Sequence, residues 1–341
     1  MLVDIHAHIL PPGWEDFAAR FGCDRWPWLD RLDACSANVM MGQRFFRKVT
    51  DQCWDLERRV ADMDARGVAH QVVSPPPFMF AYWAPPEQGK AFARMQNEHI
   101  ASFCARAPRR LSGMAVVPLQ DPSLAIEELH HARNALGLRA VEIGTCPGGR
   151  DLDDPALFDF FTACVELDMA VFVHPGSPVL GDARLDRYYF RNLVGNPYES
   201  ALAAANVVFG GVLQRLPKLR ICFSHGCGGL CAILGRLRHG WRVRPEAKAV
   251  LACDPIEDFR RIFADTLAHD AVVVRALVEQ LGPQGLMVGT DYPFGMGDAD
   301  PGGSLAAMGL EPEDAASVAW RNALRFLNQP DPASLSIAAG G

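Results

Sequence analysis

The chain opens MLVDIHAHILPP, where two histidines one residue apart, His6 and His8, follow a short apolar run. In an extended strand residues i and i+2 point to the same side, so both imidazoles would face one point, as two ligands of one metal ion do. Three further segments end an apolar run with a residue of the same kind: His174 in FVHPG, His225 in FSHGCGG and Asp291 in VGTDYPF. Taken singly, each reads as a buried histidine with satisfied hydrogen bonds or an aspartate capping a turn. Taken together they read as a metal site. Three neutral imidazoles and a carboxylate, from His6, His8, His174 and Asp291, suit Zn²⁺ best, with Fe, Co or Mn as alternatives. Water completing that shell would be acidified by the ion. The sequence leaves His225 either to act as general base on that water or to join the ligands.

For residues so far apart to meet, the elements that carry them must converge. Runs rich in Val, Ile and Phe at 2–6, 68–74, 111–118, 139–145, 169–175, 220–226, 261–266 and 285–293 read as strands. Between them, stretches such as DLERRVADMDARG, SLAIEELHHARNALG, ALFDFFTACVELD and AVVVRALVEQLG carry apolar residues at helical spacing with Gly near the stops. Eight strands alternating with helices are the sequence form of a (β/α)8 TIM barrel, whose strand ends gather at one face. Strands apolar at nearly every position fit a parallel sheet buried on both faces. The fourth run ends in EIGT with no lysine, so a carbamylated-lysine bridge has no candidate there and one metal is expected. The chain reads as a single barrel domain over 1–341 with C-terminal helices and an insertion at about 11–52, rich in Trp, Arg, Asp and Gly. That insertion is too long for a plain βα loop and is expected to cap the barrel mouth. RLDRYYFRNLVGNPYES, after the fifth strand, forms a second irregular segment, and the tail at about 332–341 is expected to fray.

Hydrophobic residues make up 49% and charged residues 21% of the 341, which describes a packed globular protein rather than a disordered one. A net charge of −7 argues against a nucleic-acid partner, which would call for clustered Lys and Arg, yet leaves room for a small anionic substrate in a locally basic pocket. The ten cysteines show no zinc-ribbon spacing and read as small buried residues in a reducing compartment. With no apolar run of spanning length and the first strand starting at residue 2, neither a membrane nor a signal segment is expected, and the protein reads as cytoplasmic.

The segments DIHAHILP, FRKVTDQCWD, MFAYWA, VPLQDP, EIGT, FVHP, LVGNP, PKLRICFSHG, GTDYPFGMGD and RNALRFL resemble the 2-amino-3-carboxymuconate-6-semialdehyde decarboxylase family of the amidohydrolase superfamily, over nearly the whole chain. The resemblance implies an amidohydrolase-type barrel with one zinc per chain, no organic cofactor, a homodimer, and non-oxidative decarboxylation. It assigns the zinc to His6, His8, His174 and Asp291, and water activation to His225. Arg47 in FFRKV then holds a substrate carboxylate, and Arg236, eleven residues past His225, reaches the neighbouring subunit's site. Two guanidiniums suit a substrate with two carboxylates. Phe80, Trp83, Tyr188 and Phe294 are the aromatic candidates for substrate contact. The chain departs from the family where HPWD becomes His174-Pro175-Gly176-Ser177, where Tyr188 stands for Trp, and where HGGG becomes SHGCGG. These departures bear on the substrate more than on the reaction. A hydroxybenzoate-type decarboxylase, a lactone or cyclic amide hydrolase, and a binding protein with an inert metal site are the rival readings.

Overall fold

The protein is described by a computed structural model covering residues 1–176 and 183–329; Ser177 and the 332–341 tail lie outside the described residues. In chain order the strands among them are β1 (Val3–His8), β2 (Pro27–Arg31), β3 (Ser36–Met41), β4 (Arg44–Thr50), β5 (His70–Ser74), β6 (Leu111–Val116), β7 (Ala140–Gly144), β8 (Ala170–His174), β9 (Ile221–Phe223), β10 (Phe263–Asp265) and β11 (Leu286–Met287). Eight of them pair in parallel in the order β1, β5, β6, β7, β8, β9, β10, β11. The ring closes between β1 and the chain after β11: Ile5 N–H donates to Val288 O at 2.8 Å, Asp291 N–H to His6 O at 2.8 Å, and His8 N–H to Tyr292 O at 2.6 Å. This is the (β/α)8 barrel that the alternation of strands and helices predicts.

Alternate residues of these strands, among them Val3, Ile5, Met114, Phe172 and Met287, pack into one buried cluster inside the ring. Phe326 of the C-terminal helix Asn322–Phe326 joins that cluster and packs on Phe263 with ring centroids 5.3 Å apart. The opposite strand faces meet the helices in the larger hydrophobic cluster. Among the charged groups fully buried in the frame, Asp4 and Arg59 tie several elements together. The Asp4 carboxylate accepts from His6 N–H (3.1 Å), Thr290 N–H (3.0 Å), Thr290 Oγ1 (2.7 Å) and Gln71 Nε2 (2.9 Å), so one side chain ties β1, β5 and the closing segment together. Burial still lifts its pKa to about 6 against those bonds. The Arg59 guanidinium donates to His8 O (2.6 Å), Gln52 O (2.8 Å) and Gln71 Oε1 (3.0 Å).

Between β1 and the helix Leu56–Ala65 lie the short helix Phe17–Phe21 and the antiparallel meander β2, β3, β4. Phe17, Trp26, Val39 and Val49 of this region pack against Met79 and Phe92. The outer rows of β4 expose Phe45 and Phe46. All ten cysteines are unpaired, and among the described residues no helix is long and apolar enough to cross a membrane.

Glu142, on β7, is the carboxyl the fold satisfies least. Burial raises its pKa to about 8; the charge of His6 and the Ser74 hydroxyl, which lies 3.3 Å from His8 Nδ1, offset this only in part. Unfolded, the group ionises near 4.5, so between these values unfolding releases a proton and stability falls as pH rises. Relative to wild type, Glu142→Gln in chelator-treated protein is expected to gain on the order of a few kcal/mol between pH 4.5 and 8 and nothing further above it, as read from urea midpoints.

Candidate active site

At the C-terminal strand ends, His6, His8, His174 and Asp291 bring one ligand atom each to a common point, all within 4.8 Å of one another. His6 and His8 end β1, His174 ends β8, and Asp291 follows β11 in a left-handed backbone conformation (φ 57°) that turns its carboxylate back over the ring. The three imidazole rings stand edge-on, with centroids 4.9 to 5.4 Å apart. Gly289 permits the closing segment to pass this close: a Cβ there would lie 2.7 Å from the Asp265 Cβ and 2.9 Å from the His6 Cβ.

The outer nitrogens of the rings decide what the inner ones can do. His6 Nδ1 lies 2.7 Å from Asp265 Oδ2, His8 Nδ1 3.2 Å from Pro75 O, and His174 Nδ1 2.9 Å from Pro175 O. Each partner is an acceptor, so each Nδ1 carries a proton, and the Nε2 of each ring in its neutral form presents a lone pair. The lone pairs converge: His6 Nε2 and His8 Nε2 are 3.2 Å apart, and buried His174 Nε2 has no hydrogen-bond partner. Two acceptors face to face beside an orphaned third call for a cation between them. Burial lowers the pKa of His8 and takes that of His174 well down, helped for His174 by His225 and the other imidazoles. His6 is opposite in sign: burial opposes its charge, yet Asp265, Asp291 and Glu142 raise it to about 9. The field at this point thus favours positive charge. Burial disfavours the Asp291 carboxylate, but the bond to His8 and the imidazole charges hold its pKa at about 2. The donor set fits a divalent transition-metal ion.

His225 follows β9 in a run of left-handed residues, His225 (φ 58°), Gly226 (59°), Cys227 (55°) and Gly228 (59°). Sequence periodicity extends this strand to Gly226, whereas it ends at Phe223 because the backbone turns over here. Gly228 is required by space as well, since a Cβ would meet Pro197 O at 1.7 Å. Cys227 takes the same conformation with a side chain, at a cost on the order of 1 kcal/mol, within the buried core. The turn sets the His225 ring 4.8 Å from His174 and 5.4 Å from His6 between centroids. Its pKa falls to about 4, through burial first and then the charge of His6. His225 is therefore neutral at ordinary pH, with Ser224 Oγ 3.0 Å from Nδ1.

Asp265, which sequence reasoning passed over, joins these two parts. It is fully buried at the end of β10. Oδ2 accepts from His6 Nδ1–H, and Oδ1 accepts from Gly226 N–H at 2.7 Å and Leu267 N–H at 3.1 Å. The signal was present in RIFADT, where an acidic residue ends an apolar run as Asp291 does.

His174, Asp291 and His225 open into a cavity of about 470 Å³ walled by Phe46, Arg47, Phe78, Leu185, Tyr189, Phe294 and others. Arg47, from β4, lays its guanidinium 4.2 Å from the Phe294 ring centroid, and Phe294 lies 5.5 Å from the His8 ring. The other predicted contacts lie elsewhere. Phe80 is buried behind the wall, stacked on Tyr82 and beneath Gly176. Trp83 packs on Trp26 at 4.8 Å under Arg25, in the core of the insertion. Tyr188 is exposed and packs on Phe190, leaving Tyr189 to face the cavity. Arg236 is exposed on the helix Leu230–Val243, outside its own chain's cavity.

The amidohydrolase family model matches residues 3–329. The chain is 37% identical to the 2-amino-3-carboxymuconate-6-semialdehyde decarboxylase of Dictyostelium discoideum, over 95% of this chain and 91% of that one. It is 30% identical to the Caenorhabditis elegans enzyme of the same name, over 96% and 94%. The chain therefore belongs to the amidohydrolase family and, within it, to the 2-amino-3-carboxymuconate-6-semialdehyde decarboxylase family that its motifs resemble. Among solved structures, a dihydroxybenzoic acid decarboxylase from Polaromonas sp. JS666, with bound manganese and the inhibitor 2-nitroresorcinol, shares the fold at TM-score 0.77 and 19% identity, covering 98% of both chains.

Asp265→Asn would put an amide N–H where either His6 or the Gly226 and Leu267 amides need an acceptor. The expected result is a roughly 10- to 100-fold loss of metal affinity, measured by competition with a chromophoric chelator; unchanged affinity would remove Asp265 from the support of the site.

Proposed function

We propose that the protein is a metal-dependent, non-oxidative decarboxylase acting on 2-amino-3-carboxymuconate-6-semialdehyde or a close relative. The observation that carries this reading is the cavity floor, where three imidazoles with partnered Nδ1 atoms and Asp291 converge beside a neutral His225, with Arg47 on the wall above. The two relatives bearing that enzyme's name, matched over nearly their whole length, supply the substrate class. His6, His8, His174 and Asp291 would hold one zinc ion, manganese being the rival suggested by the Polaromonas enzyme. We further propose that the chain is one barrel domain whose insertion at about 11–52 caps the mouth, a reading supported by Phe46 and Arg47 in the cavity wall. The exposed Arg236 would serve the neighbouring site of a cytoplasmic homodimer.

When bound, the ion supplies a Lewis acid at the floor and makes water there a stronger acid. The remaining chemistry belongs to side chains. Arg47 grips a substrate carboxylate with its planar fork, held in place by its stacking on Phe294. His225 takes a proton from water at Nε2 and returns it to the carbon that CO2 leaves, so the electrons of the broken C–C bond end in a C–H bond. The hydroxide left behind is reprotonated from solvent, which makes the net change carboxylate plus one proton to C–H plus CO2. The apolar wall of Phe46, Phe78 and Leu185 disfavours a localised carboxylate relative to a charge-dispersed transition state.

A second reading, decarboxylation of a hydroxybenzoate, is favoured by the fold shared with the dihydroxybenzoic acid enzyme and by the absence of Trp at HPGS. The deciding assay follows CO2 release from freshly prepared aminocarboxymuconate semialdehyde and from 2,6-dihydroxybenzoate, before and after chelation, with Zn²⁺ or Mn²⁺ added back. Release from the semialdehyde is expected, lost on chelation. Release from the benzoate alone selects the second reading, and hydrolysis without CO2 overturns both. His225→Gln is expected to lower turnover about 10²- to 10⁴-fold with metal retained; loss of the metal would make His225 a ligand. Arg47→Gln should lower kcat/KM roughly 10- to 100-fold, read from initial rates.

A further inference from the structure

Four imidazoles meet at the floor, and their outer nitrogens are not treated alike. His6 Nδ1 faces the Asp265 carboxylate, His174 Nδ1 the Pro175 carbonyl, and His8 Nδ1 the Pro75 carbonyl with the Ser74 hydroxyl beside it. Carboxylate and carbonyl oxygens can only accept. His225 has neither. Its Nδ1 lies 3.0 Å from Ser224 Oγ, and among the described residues that hydroxyl is the ring's only hydrogen-bond partner, as the ring is the hydroxyl's.

Successive side chains of a continuing strand point to opposite faces, so this contact exists because the chain turns over. Ser224 directly follows β9, and His225 takes φ 58° and ψ 44°, which folds its ring back on the residue before it. Ser224 is fully buried and does not line the cavity. It can reach a bound substrate only through His225. Burying a hydroxyl is unfavourable unless it is bonded, and Ile221, Cys222 and Phe223 just before it are buried apolar residues, so the position gains nothing from a serine except the bond to the ring. A hydroxyl also supplies an acceptor without the negative charge that Asp265 brings to His6. It can therefore hold Nδ1–H without turning the ring into a cation.

We infer that Ser224 is the positioning residue of His225: its oxygen accepts from Nδ1–H, which keeps the lone pair on Nε2, the nitrogen that has to take the proton. The inference rests on the reading of His225 as the base of the proposed reaction. Without the hydroxyl, Nδ1–H has no acceptor among the described residues. The tautomer with its hydrogen on Nε2 is then favoured, and it offers water no lone pair on that nitrogen.

The test is ¹⁵N NMR of the zinc-loaded protein labelled at its histidine nitrogens, recorded without substrate, with the His225 signals assigned by their loss in His225→Gln. It reads the ring whether or not the protein decarboxylates anything, and so stands apart from the CO2 assay. Wild type is expected to show a hydrogen-bearing Nδ1 and a lone-pair Nε2 on His225. Ser224→Ala should move the ring toward the Nε2–H tautomer, and Ser224→Cys, which keeps the side chain's volume but is a weak acceptor, should do the same. On the acid that proves to be the substrate, turnover in both variants should fall roughly 10-fold, with KM within about twofold and zinc content unchanged. A wild-type ring with its hydrogen on Nε2 would make Ser224 the donor and overturn the assignment. So would a metal-bound Nε2, His225 nitrogens unchanged in Ser224→Ala, or a Ser224→Cys protein that matches wild type in both readouts, which would reduce Ser224 to packing.

Discussion

The hydrogen bonds that close the barrel also build its chemistry. A parallel ring needs its last strand to pair with its first, and here that pairing falls on the backbone of Ile5, His6 and His8 against Val288, Thr290, Asp291 and Tyr292. His6 O accepts from Asp291 N–H while the two side chains take their places in the ligand set. Two ligand-bearing segments at opposite ends of the sequence are therefore positioned by closure itself. Asp4 reinforces the join with bonds to Thr290 and Gln71. Few other arrangements would hold a carboxylate from residue 291 against imidazoles from residues 6 and 8 without a dedicated loop.

The treatment of buried charge follows the same line. Removing an ionised group from water is costly unless its bonds are replaced. Asp4, Arg59 and Asp265 are fully buried, and each is bonded to backbone and side-chain partners from several elements. These side chains act as ties. Arg59 bonds the His8 carbonyl and the Gln52 carbonyl at the end of the insertion; Asp265 bonds the His6 ring and the turn that carries His225. The His6 imidazole and the His8 main chain are thus held from behind, by Asp265 and Arg59, which do not line the cavity.

What the sequence discloses depends on whether a residue's role is written in local pattern. The eight strand runs are continuous apolar stretches, and the ligands stand at their ends, so both the barrel and the set His6, His8, His174 and Asp291 were legible. Asp265 shared that signature but was masked by its neighbours' stronger motifs. The β2, β3, β4 meander was not legible, because its outer rows mix Arg, Asp and Phe without a clean alternation. Direction was the least legible property. Tyr188 and Tyr189 are adjacent and chemically alike, yet Tyr189 faces the cavity and Tyr188 does not. Trp83 looked like a substrate contact but fills the core beneath the insertion, since a large indole gains more from burial there than at an open mouth.

The left-handed turn at His225 has an implication for how such an enzyme can change. His225 is aimed by main-chain dihedrals and by Asp265, His6, His8 and Asp291 by ring closure, and His174 by the end of β8, so the floor is set mainly by the barrel frame. The side chains of the wall come from other sources: Phe46 and Arg47 from the insertion, Leu185, Tyr189 and Arg191 from the segment after β8. Substitutions in the wall can therefore exchange one acid for another while the floor keeps its geometry. Phe294 couples wall to floor, since it follows Asp291 in the closing segment and lies 5.5 Å from the His8 ring, whereas Phe46, Arg47 and Tyr189 come from segments that carry none of His6, His8, His174, His225 and Asp291.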